Sequence, residues 1–389
     1  AAIKLQQPPV IPGDQFLEWL ANVDSQQGFD LIVASTESSL LAMMQLPEQS
    51  SMRRRAVLPP QASLEIALDK NLTLEVAAKL GVPLPGTRLL TRVDEIGLPA
   101  VYPTVLKPVR STVVSGGDIR SLEPAIVNGA AARRAALEKW LPAVPVLEQE
   151  YVQGWGAGIE MLYENGKLVW YLAHERLHEW PMTGGASTYR RAIEPDPQML
   201  DAARRLFDEL KWHGVGMAEF KRRKDGSFAL MEINPRLWGS LALSIDAGVD
   251  FPLGLLRIAT GADPGPQPNY RRGMRTRHLS RDIRWLKCNA VADRSDALLL
   301  LRPKLKSIFE LGLFVGGREH WDHFRWTDPK PFLHDTFRMV HESLDSLRDR
   351  VRTRSMLRRR IDIVNRAVER AVRAVQPRFL FVCQGNICR

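Results

Sequence analysis

The chain has 389 residues, a formal net charge of +10 and three cysteines. That length predicts two or three structural units with sizeable cores, and no run approaches the roughly 18 apolar residues of a membrane-spanning helix. So few cysteines, one of them in a motif that needs a free thiol, exclude a disulfide scaffold and point to a reducing, cytoplasmic compartment with no visible signal peptide.

In chain order, a polar, proline-bearing lead is followed by a helix over 15–23 and a first strong strand over 29–34. Asp69-Lys70 opens a further helix ahead of Ala78-Lys79-Leu80-Gly81. Tyr102-Pro103-Thr104-Val105-Leu106-Lys107-Pro108 reads as a strand whose lysine is partly desolvated, and a triphosphate is the natural partner of such a point charge. Residues 111–117, with two glycines, read as a flexible loop able to lay amides over phosphates. Residues 168–173 alternate as a strand, so His174 and His178 lack the helical spacing that zinc would need. Arg176 and Arg190 can each fork onto carboxylate or phosphate oxygens, with Thr183-Gly184-Gly185 adding loop amides. Asp196-Pro197 starts a core-facing helix with Leu200, Ala203, Leu206, Phe207 and Leu210 on one stripe.

The segment 215–236 carries the strongest chemical signal. Asp225-Gly226 between two apolar runs predicts a hairpin with a two-residue loop, which sets Glu219 directly opposite Glu232. Opposed carboxylates lie roughly 4.5 to 5.5 Å apart and repel, so the pair asks for a cation. Asn234, two residues on, shares their face. Two carboxylates and an amide oxygen form a sparse hard-ligand set, suited to Mg²⁺ held jointly with nucleotide phosphates. Arg236 follows within reach of the same phosphates. The plain alternative is an exposed hairpin whose acids offset Lys221, Arg222, Arg223 and Lys224, but both acids interrupt apolar strands.

This segment, continued as Asn234-Pro235-Arg236-Leu237-Trp238-Gly239-Ser240, resembles the nucleotide-binding core of the ATP-grasp superfamily of ATP-dependent carboxylate–amine ligases. The resemblance covers residues 65–260. It implies metal ligation by Glu219, Glu232 and Asn234, and phosphate contacts from Arg236, Lys70 and Lys107. Val146-Leu147-Glu148-Gln149-Glu150-Tyr151-Val152 is similar to the hinge whose backbone reads adenine, with Glu150 and Val152 as the matching positions. Gly154-Trp155-Gly156-Ala157-Gly158 stands where many relatives of that superfamily place an acid for the ribose hydroxyls, a departure from the pattern. The stretch holding Arg176 and Arg190 resembles a carbamoyl-phosphate-synthase-like branch, in which this strand and loop close over phosphates or the acceptor carboxylate.

At the far end, residues 348–373 form a basic amphipathic helix, which can dock on its own protein or touch an anionic membrane face. Aromatic residues are scarce there and no nucleic-acid fold signature accompanies it, so no nucleic-acid partner is expected. The strand 378–382 feeding Cys383-Gln384-Gly385-Asn386-Ile387-Cys388-Arg389 resembles the phosphate loop of low-molecular-weight protein tyrosine phosphatases. That loop stops short of a working domain, and the chain opens Ala1-Ala2, so it reads as a fragment.

The expectation is therefore an α/β (α+β) ATP-grasp fold with an incomplete N-terminal doubly wound domain and a helical C-terminal extension. Its parts are 1–68, a core over 69–265 with a lid at 88–148, an extension over 266–340, a linker helix over 341–376, and the phosphate loop over 377–389. The expected activity uses ATP and Mg²⁺, with Mn²⁺ as the alternative ion, to activate a small-molecule carboxylate as an acyl phosphate for an amine. The rival reading is a nucleotide-binding regulatory module coupled to a phosphatase, without ligase turnover.

Overall fold

The computed structural model describes residues 14–349, apart from 116–117, 315–316, 318, 343 and 346–347. The expected basic helix, all but its first two residues, and the expected phosphate loop lie outside these described residues. The chain divides into two compact units after Asp322. In the second, Phe324 meets Trp326 and Phe332 edge-on, a small aromatic cluster. Among the described residues no helix is long and apolar enough to cross a membrane.

The first unit opens with four helices, α1 (Asp14–Gln27), α2 (Glu37–Met43), α3 (Ser51–Ala56) and α4 (Gln61–Leu68). They close over a core of Phe16, Leu40, Met43 and Leu64. The strand expected over 29–34 is not one. Ile32 donates to the Arg55 carbonyl, but among the described residues no strand runs alongside, and without a partner there is no ladder. Asp69 then caps α5 (Lys70–Lys79) by accepting from the amides of Asn71 and Leu72.

A lid follows. Strands β1 (Thr87–Leu90), β2 (Thr104–Pro108), β5 (Ala125–Val127) and β6 (Val146–Glu150) form a sheet in the order β1-β6-β2-β5, packed on α6 (Ala130–Trp140). Between β2 and β5, residues expected as a flexible loop form an antiparallel pair, β3 (Thr112–Ser115) and β4 (Asp118–Ser121). Thr112-Val113-Val114 is β-branched, and partners five to nine residues on, Ile119 to Ser121, let it pair.

The main sheet has the order β11-β10-β7-β8-β9-β12-β13. Its strands are β7 (Trp155–Glu164), β8 (Lys167–Trp180), β9 (Ala186–Ile193), β10 (Gly214–Arg222), β11 (Phe228–Asn234), β12 (Arg275–Arg277) and β13 (Glu319–Trp321). Alternation divides β7 and β10 cleanly. Ala157, Ile159, Met161, Ala218 and Phe220 pack under α7 (Pro197–Glu209), while Leu162, Val215 and Met217 pack under α8 (Leu241–Ala247) and α9 (Phe251–Ala259). The second face also carries Gly156, Gly158, Glu219 and Lys221, and it is the face of the site. The extension adds β12, α10 (Leu279–Val291), α11 (Lys304–Leu311) and β13 to the same unit, so its strands widen the sheet.

Candidate active site

The ladder places Glu219 opposite Glu232. The route differs from the expected one. The loop has three residues rather than two, since Arg222 pairs with Phe228 and Arg223 donates to the Ser227 carbonyl, with Gly226 at φ 88°. A bulge at Met231 then adds one residue back, because Glu219 faces Glu232 while Phe220 faces Leu230. The two offsets cancel at the acids. The bulge also turns neighbouring side chains to one side: the Met231 sulfur lies 3.9 Å from Lys107 Nζ, and Glu232 joins the acids. Asn234 Nδ2 donates to Glu219 Oε1 at 2.9 Å and reaches Glu232 Oε1 at 3.5 Å, so these three residues converge.

Cations surround them. Arg176 Nη2 lies 2.6 Å from Glu219 Oε2, and Lys70 Nζ donates to Ser111 Oγ at 2.6 Å. Burial pushes the Glu232 carboxyl up, but Lys70, Lys107 and Arg176 outweigh it and hold the group below the ordinary carboxylate range. Desolvation pulls the Lys107 ammonium down, partly opposed by Glu232. For Arg176 burial is again the largest influence and again loses, here to Glu219 and Glu179, which push its pKa up. Glu232 is therefore ionised, and among the described residues no cation pairs with it directly within 4 Å.

Glu179 belongs to this cluster and the sequence reading passed over it. Only 2% exposed, it accepts from the amides of Gly156 at 2.7 Å and Gly185 at 3.1 Å, and from Lys221 Nζ at 3.2 Å. Burial raises its carboxyl, and Lys221 and Arg176 bring it below the usual range. The Gly185 amide, expected on phosphates, is spent on this carboxylate, and the Gly185 carbonyl accepts from Arg176.

Gly156 and Gly158 leave room for side chains from the next strand. A Cβ at Gly156 would lie 2.5 Å from Arg176 Cδ, and one at Gly158 would lie 2.5 Å from His174 Cε1. Both side chains cross β7 where it has none of its own. His174 Nδ1 lies 3.1 Å from the buried Glu160, whose carboxylate accepts from Ser240 and Ser244. His178 leaves in another direction, bonding Asp282 at 2.8 Å and stacking on Trp285.

The remaining expected residues spread outward. Arg236 lines a cavity of about 340 Å³ with Lys70, Ser111, Glu232 and Asn234. Arg190 faces Arg176 across the ladder, but its Nη2 lies 2.5 Å from Asp322, so a protein carboxylate already occupies it. Glu150 sits at the hinge with its side chain turned to Arg223 at 3.3 Å, and Val152 is buried beside it. A larger cavity, about 1020 Å³, opens by Arg88, Tyr102, Glu150 and Leu298, away from the paired acids. Size favours that cavity, whereas convergent charge favours the smaller one, and chemistry follows charge.

A four-stranded lid sheet and a largely antiparallel main sheet that presents acid, acid and amide on one face agree with the ATP-grasp domain that the family model and the solved structures support. Residues 143–281 match the family model described as ATP-grasp in the biosynthetic pathway with Ter operon. Among solved structures, the chain is similar to Rhizobium etli pyruvate carboxylase T882A with acetyl coenzyme-A, at TM-score 0.50 and 17% identity, over 71% of this chain and 26% of that one. It is similar to the biotin carboxylase–beta-gamma-ATP complex of Campylobacter jejuni at TM-score 0.51 and 14% identity, over 67% of this chain and 60% of that one. These likenesses are of fold, and the chain spans less than two thirds of either protein. No curated protein sequence matches it.

Proposed function

We propose that this chain is an ATP- and Mg²⁺-dependent, ADP-forming carboxylate–amine ligase. A substrate carboxylate oxygen attacks the γ-phosphorus and ADP leaves; an amine then attacks the acyl phosphate carbonyl and phosphate leaves. The observation that carries this reading is the convergence of Glu219, Glu232 and Asn234 beside Lys70, Lys107 and Arg176.

The donor set fits a hard divalent ion. Glu232 is ionised without a direct protein cation, and rotation of the Asn234 amide, whose O and N are assigned by hydrogen bonding, presents Oδ1 instead of Nδ2. Held by Glu219, Glu232 and Asn234, Mg²⁺ would neutralise phosphate oxygens and polarise the γ-phosphoryl group. Lys70 and Lys107 supply positive charge from the lid side, and the desolvated Lys107 is poised to favour a polyanion. Arg236, on the cavity wall, orients the acceptor carboxylate or the transferring group. Arg176 keeps Glu219 aimed at the ion. Glu150 and Val152 stand at the hinge as the adenine-reading positions, and Arg190 remains tied to Asp322.

The test is ADP release by the purified protein with ATP, Mg²⁺ and pooled acids and amines. Acid-dependent ADP release is expected in the native protein, with loss of about 100-fold or more in Glu232→Gln. A Glu232→Gln protein with undiminished release would overturn the assignment.

A further inference from the structure

The cavity of about 340 Å³ that holds Lys70, Glu232, Asn234 and Arg236 has a fourth wall from the N-terminal helices, where Glu37, Ser38 and Leu40 of α2 face it. Thr36 caps α2 through Ser39, so the cap leaves the Glu37 carboxylate free of that duty. Among the described residues neither Glu37 nor Arg236 has an ion pair within 4 Å. Lys70 is hydrogen-bonded to a neutral hydroxyl. The cavity thus presents unpaired charge of both signs, with apolar surface from Leu40, Ala67, Leu68 and Ile233 between.

The other charged groups of the site have roles assigned above. The carboxylates of Glu219 and Glu232 have a divalent ion to hold, and Lys70, Lys107 and Arg236 have phosphates and a carboxylate. Glu37 has no such use. A carboxylate on the wall of a site that fills with polyphosphate and an acid would repel both. Its placement becomes favourable when the bound acid carries a cation of its own. We propose that Glu37 reads an ammonium group on the acid that is activated, so that the substrate is a small zwitterion: its carboxylate on the Arg236 side, its ammonium on Glu37, and a short aliphatic body against Leu40 and Leu68. Ser38 lines the same wall and can accept a second ammonium hydrogen.

This inference rests on the ligase reading, and the experiment separates the two. ADP release is measured with matched pairs of acids, such as alanine against propionate and glutamate against glutarate, in the presence of ATP, Mg²⁺ and pooled amines. The ammonium-bearing member is expected to win by about 10- to 100-fold in kcat/KM, the scale of one charge-assisted contact. In Glu37→Gln the preference is expected to fall below about threefold, through a raised KM for the amino acids and no change for the des-amino acids. Glu37→Lys should turn the preference toward diacids. Unchanged unfolding midpoints show that both variants fold, since Glu37 is not in the core. Brisk release that ignores the ammonium, or a Glu37→Gln protein with native selectivity, overturns the inference and leaves the ligase standing. No acid-dependent release from any pool overturns both.

Discussion

The Arg176 guanidinium meets Glu219 at 2.6 Å after crossing β7 at Gly156, where any Cβ would sit 2.5 Å from Arg176 Cδ. The glycine therefore sets the aim of the Glu219 carboxylate from a neighbouring strand. Gly156→Ala is expected to push Arg176 off Glu219, costing about 1–3 kcal/mol of stability as overpacking and weakening Mg²⁺–ATP binding severalfold. Calorimetric titration with Mg²⁺–ATP checks the second effect. Gly226→Ala is the control: at φ 88° it strains the hairpin loop, but nothing lies within 4 Å of its Cβ, so stability falls and binding stays.

Glu179 and Lys221 yield a sharper prediction, because one partner is 2% exposed and the other holds it at 3.2 Å. Removing Lys221 leaves a buried carboxylate with Arg176 and two amides as its support. Lys221→Ala should cost about 2 kcal/mol, below the usual figure for a broken buried pair because that support remains. The double variant Lys221→Met, Glu179→Gln should recover part of the loss. Urea unfolding of the native protein, Lys221→Met, Glu179→Gln and the double variant gives the coupling, and strictly additive effects would show that the pair is not the stabilising unit.

The acids of the hairpin were legible because Asp225-Gly226 and period-two alternation are local signals, and the Glu219–Glu232 pairing emerged despite an error in loop length. Nothing in the residue types announces the bulge at Met231 that restored it. The same blindness hid Glu179. Counting by twos from Arg176 puts residue 179 on the opposite face, and only the shift between Arg176 and His178 brings it round. The glycines at 156 and 158 were visible as a departure from the acid pattern, yet their purpose depends on side chains of the next strand, Arg176 and His174. The strand expected over 29–34 failed for the converse reason: apolar composition is local, but a ladder partner is not. The strand that carries Lys107 and the start of α5 at Asp69-Lys70 were readable because each rests on a short contiguous signal.

Acid should weaken the fold in two separate windows. Burial lowers the pKa of His178, with Asp282 only partly opposing it, so the unfolded chain takes up a proton at a higher pH than the folded one. Stability from the neutral ring is complete above the ordinary histidine value of 6.5 and is lost as pH falls below it, by at most about 1.4 kcal/mol per pH unit per group. His213, also lowered by burial, adds to the same slope. Asp282 and Glu179 act lower down: burial raises each carboxyl, but His178 with Arg277, and Lys221 with Arg176, hold them below the ordinary range. Their stabilisation is present above about pH 4–5 and disappears as pH falls through the depressed values. Unfolding midpoints between pH 7 and 3 should therefore show two descents, and His178→Gln should flatten the upper one to the His213 share and also shrink the Asp282 part of the lower one.

Asp196 should separate stability from chemistry. Its carboxylate caps α7 by accepting from the Gln198 and Met199 amides, with Pro197 fixing the first helical residue, and it also lies 3.2 Å from Arg222 at the end of β10. The helix it starts packs Met199, Ala203, Leu206 and Phe207 on the sheet face opposite the acids. Asp196→Ala should cost about 1–2 kcal/mol, mostly from the lost cap, while Asp196→Asn keeps most of that because an amide oxygen still accepts. Neither change reaches Glu219 or Lys221, which point away from α7. Mg²⁺–ATP affinity should be unchanged at temperatures where both variants are folded, and a parallel loss of affinity would mean that strain in β10 travels from its last residue to the acid three positions before it.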